Sequence, residues 1–101
     1  MTAKKLGRQT AALAAPPRVL CAANVVGHME GEGPLSACFD FIDQDDTFGE
    51  PTWERSERAM QQKALALALE KGGLSAQQLD YLFAGDLLNQ CVSSSYAARE
   101  Q

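Results

Sequence analysis

Apolar positions in this chain gather into three runs, each closed off by turn-forming residues. The first, Arg18-Val19-Leu20-Cys21-Ala22-Ala23-Asn24-Val25-Val26-Gly27, is nearly continuous, holds β-branched residues and lies between Pro16-Pro17 and Gly27. Without polar and apolar alternation, it predicts a strand covered on both faces. The second runs from Trp53 to Lys71. Trp53, Met60, Ala64, Leu67 and Ala68 share one helical stripe, and Leu65 and Leu69 add another, so Ala64 to Leu69 is apolar almost all round. Ala and Leu are strong helix formers and neither is β-branched, which makes this a helix. The third run, Leu79-Asp80-Tyr81-Leu82-Phe83-Ala84-Gly85, predicts a second buried strand.

Punctuation sharpens these boundaries. Thr52, after Pro51, can accept a first-turn amide, and Glu54 and Glu57 stand where the helix dipole favours acids. At the other end Lys71 precedes Gly72-Gly73, a pair able to take the left-handed cap conformation. Ser75 and Gln78 have capping-box spacing for one short turn. Strand, crossover helix and strand make a βαβ unit with parallel strands and a right-handed crossover. Residues 1–16 read as an N-terminal arm. Residues 28–50 read as an acidic loop punctuated by Gly and Pro, with a short ordered turn around Leu35 to Ile42. One of Ser93, Ser94 and Ser95 is expected to cap a last helix, through Tyr96, that the sequence leaves in mid-course at Gln101.

In open parallel sheets ligands collect at the carboxyl ends of the strands. The polar turn Asp86-Leu87-Leu88-Asn89-Gln90 follows the second expected strand, so Asp86, Asn89 and Gln90 are the candidate ligand-binding residues. No catalytic residue and no metal ligand is assigned. The lone histidine, His28, excludes a two-His metal site or a His relay within this chain and reads as a loop-end side chain. Gly27-His28-Met29-Glu30-Gly31-Glu32-Gly33 lacks the Lys-Ser/Thr of a phosphate-binding loop and the immediate helix of a dinucleotide fingerprint. No cofactor is called for.

Charge adds a contrast. The 101 residues carry a formal net charge of −4, which leaves no basic field for nucleic acid or an anionic membrane. Yet Lys4, Lys5, Arg8 and Arg18 precede every acid, whereas Glu30 to Glu50 holds seven acids and no base, so the two stretches can attract one another or other partners. The acidic stretch lacks the register of an EF-hand loop and reads as a solvated loop. Cys21, Cys38 and Cys91 form no CxxC and read as small buried hydrophobes in a reducing compartment. The run Ala11 to Ala15 is too short for a secretion signal, and nothing reaches the roughly 20 apolar residues of a membrane span.

Particular residues carry a family likeness: Gly7-Arg8-Gln9-Thr10, Glu32-Gly33-Pro34-Leu35, Phe39-Asp40, Trp53-Glu54, Glu57-Arg58 and, most specific, Ala84-Gly85-Asp86-Leu87-Leu88-Asn89-Gln90. In this order they resemble the opening of the stage V sporulation protein AD family, and more distantly thiolases and 3-oxoacyl synthases. Ala11 to Ala15, where an aromatic is expected, and residues 91–95 depart from the pattern. The resemblance implies an α/β, thiolase-like fold of two repeated βαβαβ halves, of which residues 1–101 are an incomplete N-terminal portion built around a parallel sheet. It implies a sporulation protein that helps load dipicolinic acid into the developing spore and binds this ligand without turnover. Its expected companions are the other proteins of the dipicolinic acid transport system and a second copy in a full-length homodimer. Its expected place is the cytoplasm of the developing spore or the periphery of the spore inner membrane. The family's nucleophile-position Cys lies beyond Gln101, so none of Cys21, Cys38 and Cys91 inherits it. The alternative is an acyl-transfer enzyme of the thiolase or 3-oxoacyl synthase group.

Overall fold

The structure, a computed structural model, describes residues 3–99. The expected arm proves to be a β-hairpin: β1 (Ala3–Leu6) pairs antiparallel with β2 (Thr10–Leu13), Ala3 opposite Leu13 and Leu6 opposite Thr10. Gly7 opens its three-residue turn at φ 66°, a left-handed angle that glycine adopts without a Cβ clash. All eight strand residues are exposed, and each strand packs mainly on the other.

The parallel pairing forms, but with a shorter strand and a different neighbour. β3 is only Val25–Val26, and it pairs with β4 (Phe41–Ile42), which lies inside the loop expected to be irregular. Residues 18–24 do not join a ladder, and side chains take two of their backbone groups. The Asn24 amide N–H donates to Asp40 Oδ2 at 2.9 Å, the Asp40 N–H donates to Asn24 Oδ1 at 2.7 Å, and Lys71 Nζ donates to the Ala22 carbonyl at 2.9 Å. The same Lys71 ammonium lies 2.7 Å from Asp40 Oδ1, so one carboxylate joins the first apolar run, the loop and the end of the long helix. The Lys71 hydrogen bond, then the Asn24 N–H, hold Asp40 below the usual carboxylate range.

The loop itself is built. A one-turn helix α1 (His28–Gly31) and a 3-10 turn (Ser36–Cys38) precede β4. Its acids serve local turns: Asp45 accepts the Thr47 N–H, the Thr47 hydroxyl and the Gly49 N–H. His28 Nδ1 lies 2.6 Å from Asp46 Oδ1, a hydrogen bond and charge that raise the imidazole above its ordinary value.

Helix α2 (Trp53–Gly72) follows the sequence closely. Thr52 Oγ1 accepts the Arg55 N–H at 3.2 Å. At the far end Gly73, φ 64°, donates its N–H to the Glu70 carbonyl, and the Leu74 N–H reaches Leu69, a Schellman closure. Ser75 and Gln78 form the expected capping box. Ser56, 3% exposed, donates its hydroxyl to the Asp46 carbonyl and pins the acidic loop to α2. Lys63 lies over the Phe41 ring at 4.5 Å on the same side.

The second expected strand does not form a ladder. Residues 79–85 form no regular structure and have no pairing partner among the described residues, and Tyr81 and Phe83 are 82% and 91% exposed. A strand needs a neighbour for its N–H and C=O groups, and α2 offers only a side chain, Gln61 Nε2 to the Gly85 carbonyl at 3.0 Å. The chain then turns into α3 (Val92–Arg99), packed on α2. Among the described residues Ala97 is the one apolar residue that is fully buried, while Val19, Leu20 and Leu87 stand largely in solvent. The fold is thus mixed α/β with its apolar layers incompletely covered. No helix among the described residues is long and apolar enough to cross a membrane.

Candidate functional site

The turn at 86–90 is held from three sides. Asp86 follows residues 79–85, and its carboxylate accepts the Cys91 N–H at 2.9 Å, the Ser94 N–H at 2.9 Å and the Ser94 hydroxyl at 2.8 Å. Helix termini leave their first amides without intrahelical partners, and Asp86 satisfies those of α3 from outside the helix. The Ser94 N–H, followed by the Ser94 hydroxyl and the Cys91 N–H, holds its carboxyl below the usual range. The expected serine cap is therefore replaced by an aspartate cap. Ser93 and Ser94 are buried inside the first turn, and Ser93 donates its hydroxyl to the Glu54 carbonyl at 3.1 Å.

Helix α2 supplies the other two sides. Glu54 Oε1 accepts from Asn89 Nδ2 at 2.6 Å, and Glu57 Oε2 accepts the Leu87 N–H at 3.0 Å. Glu54 and Glu57 are three residues apart, one helical face, so the same face grips the turn at two points. The second oxygen of Glu57 is buried with no hydrogen-bond partner among the described residues. Nearby, the Arg58 guanidinium lies over the Tyr96 ring at 5.6 Å and ties α2 to α3.

Of the three candidate ligand residues, two are thus committed within the chain. Asp86 caps α3 and Asn89 clamps to Glu54, while Gln90 is exposed and makes no hydrogen bond among the described residues. The structure brings the three together on one turn. Its geometry is a rigid, preformed corner with a free amide at its edge, beside an open cavity of about 270 Å³ lined by Leu82, Phe83, Gly85 and Ala97. Cys91, like Cys38, is exposed rather than buried as expected; at φ 61° it opens α3 with its N–H given to Asp86. The sequence reading placed Glu54 and Glu57 as dipole acids and missed their grip on the turn. Their shared face and the amide-bearing Asn89 downstream are the signal for it. Asp86 as a cap had no such signal, because it stands eight residues before Ser94 and reaches it only through the folded turn.

Comparison with known proteins agrees with the residue pattern. The family model described as Stage V sporulation protein AD matches residues 7–101. The Stage V sporulation protein AD of Bacillus subtilis (strain 168) is 38% identical over 96 residues, which cover 95% of this chain and 28% of that protein. The chain therefore spans a little over a quarter of the length of the curated relative it matches. With the match running from the turn of the first hairpin through the clamped corner into α3, the chain belongs to the stage V sporulation protein AD family.

Proposed function

We propose that the protein carrying this chain acts in sporulation, helping to load dipicolinic acid into the developing spore and binding it without turnover. The observation that carries this reading is the family match over residues 7–101. The geometry supports a structural share in the site for the present residues. The corner at 86–90 is fixed by Asp86, Glu54 and Glu57, and Gln90 offers an uncommitted amide donor to a carboxylate. A dianion needs several converging donors or cations, and Asp86 is itself an anion, so the rest of the site belongs to the longer protein. That protein is thiolase-like, with two βαβαβ halves, dimeric, and works beside the other proteins of the transport system. It does so in the cytoplasm of the developing spore or at the inner membrane's edge.

The test is made on the full-length protein. In a sporulating host lacking its own copy, expression should restore the dipicolinic acid content of the spores, and the purified protein should release no thiol from acyl thioesters. Unrestored content would overturn the transport reading. Thioester turnover would favour an acyl transferase instead.

A further inference from the structure

We propose that the hairpin β1–β2 is a docking arm, and that it engages the acidic segment 28–50 of a second copy of this protein. The argument begins with charge. Residues 1–18 hold Lys4, Lys5, Arg8 and Arg18 and no acid, a formal +4, while residues 19–101 hold five bases and thirteen acids, a formal −8; together they give the net −4. Charges of opposite sign on one chain ordinarily find one another. Here they do not, for Lys4, Lys5 and Arg8 have no ion-pair partner among the described residues.

The backbone explains the separation. Pro16-Pro17 stands at the base of the hairpin, and two fixed φ angles in succession make a stiff spacer rather than a hinge. Residues 16–24 then run without regular structure, with Val19 and Leu20 exposed, before β3 begins. The hairpin is itself ordered by a full four-pair register and by Gly7 at its turn, so it is a shaped element whose two strands pack mainly on each other among the described residues. Lys4 and Lys5, adjacent on β1, project to opposite faces, and Arg8 sits at the tip, so cationic groups are presented in three directions.

The acidic segment offers the complement. Asp40, Asp45 and Asp46 are engaged with Lys71, with their own turn and with His28, but Glu30 and Glu32 are exposed and make no side-chain hydrogen bond or ion pair among the described residues. An extended polyanion such as a membrane surface or nucleic acid would meet the −8 body along with the arm. The acidic segment of a second copy is a compact patch that the arm reaches at its tip, within the roughly 8 Å over which charge acts at physiological salt.

The experiment uses full-length protein, half of it labelled with ¹⁵N, coupled by a zero-length carbodiimide that joins a Lys amine to a carboxylate in contact with it. Peptide mapping should find Lys4 or Lys5 joined to Glu30 or Glu32 in mixed-isotope pairs at 50 mM salt. The yield should fall at least tenfold at 500 mM salt and at least threefold in Arg8→Glu, which leaves both amines in place. Same-isotope pairs alone would show that the arm serves its own chain. Coupling of Lys4 and Lys5 to carboxylates outside residues 28–50, or to none, would overturn the proposal as well.

Discussion

Gly72→Ala tests the contact between the first apolar run and the end of α2. A Cβ built on Gly72 would lie 2.7 Å from Cys21 Sγ, with Cys21 Cβ and Leu74 Cδ1 next at 3.4 Å. In an open helical site the exchange would gain about 0.5–1 kcal/mol, since alanine loses less backbone entropy than glycine. Here the thiol sulfur must give way, and forced overpacking costs about 1–3 kcal/mol. The net expectation is a loss of about 1–2 kcal/mol. In a Cys21→Ala background the obstructing atom is gone and the remaining approaches are tight but tolerable, so the same Gly72→Ala step should be neutral or stabilising by about 0.5 kcal/mol. Chemical denaturation of the full-length protein, its two single variants and the double variant gives the coupling directly. A coupling below about 0.5 kcal/mol, the scatter seen between independent sites, would show that Cys21 does not pack on the helix end and would refute the placement of residues 18–24.

Three further outcomes follow from other parts of the fold. Thr52→Ala removes the oxygen that accepts the Arg55 N–H and should cost about 1 kcal/mol in thermal or chemical melts, whereas Thr52→Ser should cost little. The carboxyls of Asp40, Asp45 and Asp86 are lowered in the fold, so their contribution is present above the unfolded value near 4 and is lost as pH falls through their lowered values. His28 is raised, so its contribution is full below about 6.5 and lost as pH rises through its folded value, and Asp46→Asn should flatten that upper limb in melting temperature against pH. Expressed alone, the 101-residue chain should self-associate or melt at low temperature, because Tyr81, Phe83 and Leu87 are 82–96% exposed. A monodisperse monomer with a sharp transition above about 65 °C in sedimentation and melting would show otherwise.

Local chemistry was the legible part of this sequence. Thr52, Gly73 and the Ser75–Gln78 pair act within four residues of their partners, so their spacing alone places the ends of α2 and the turn after it. Residues 18–27 and 79–85 read as strands covered on both faces, yet only Val25–Val26 forms a strand and Val19, Leu20, Tyr81 and Phe83 are exposed, because a ladder depends on what lies alongside. Asn24, Asp40 and Lys71 meet from positions 16 to 47 residues apart and take over the Ala22 carbonyl and the Asn24 N–H of the first run. The second run has α2 and part of α3 beside it, and no strand among the described residues. The hairpin was hidden for a different reason: of the eight residues of β1 and β2 only Thr10 is β-branched, the rest being Lys, Ala and Leu, so Gly7 was its one visible mark. At the candidate site, the place of the polar turn after the second apolar run pointed to the corner at 86–90. It could not say that Asp86 and Asn89 hold the corner itself, since that depends on where α2 presents Glu54 and Glu57.

Titration calorimetry with dipicolinic acid, run on the full-length protein and on the 101-residue chain side by side, tests the central claim most directly. The full-length protein should bind the ligand and leave it unchanged. The 101-residue chain should show no measurable heat of binding, because its corner contributes Gln90 and backbone amides but not the converging donors a dianion requires. Absence of binding by the full-length protein, or a micromolar dissociation constant for the 101 residues alone, would contradict the account.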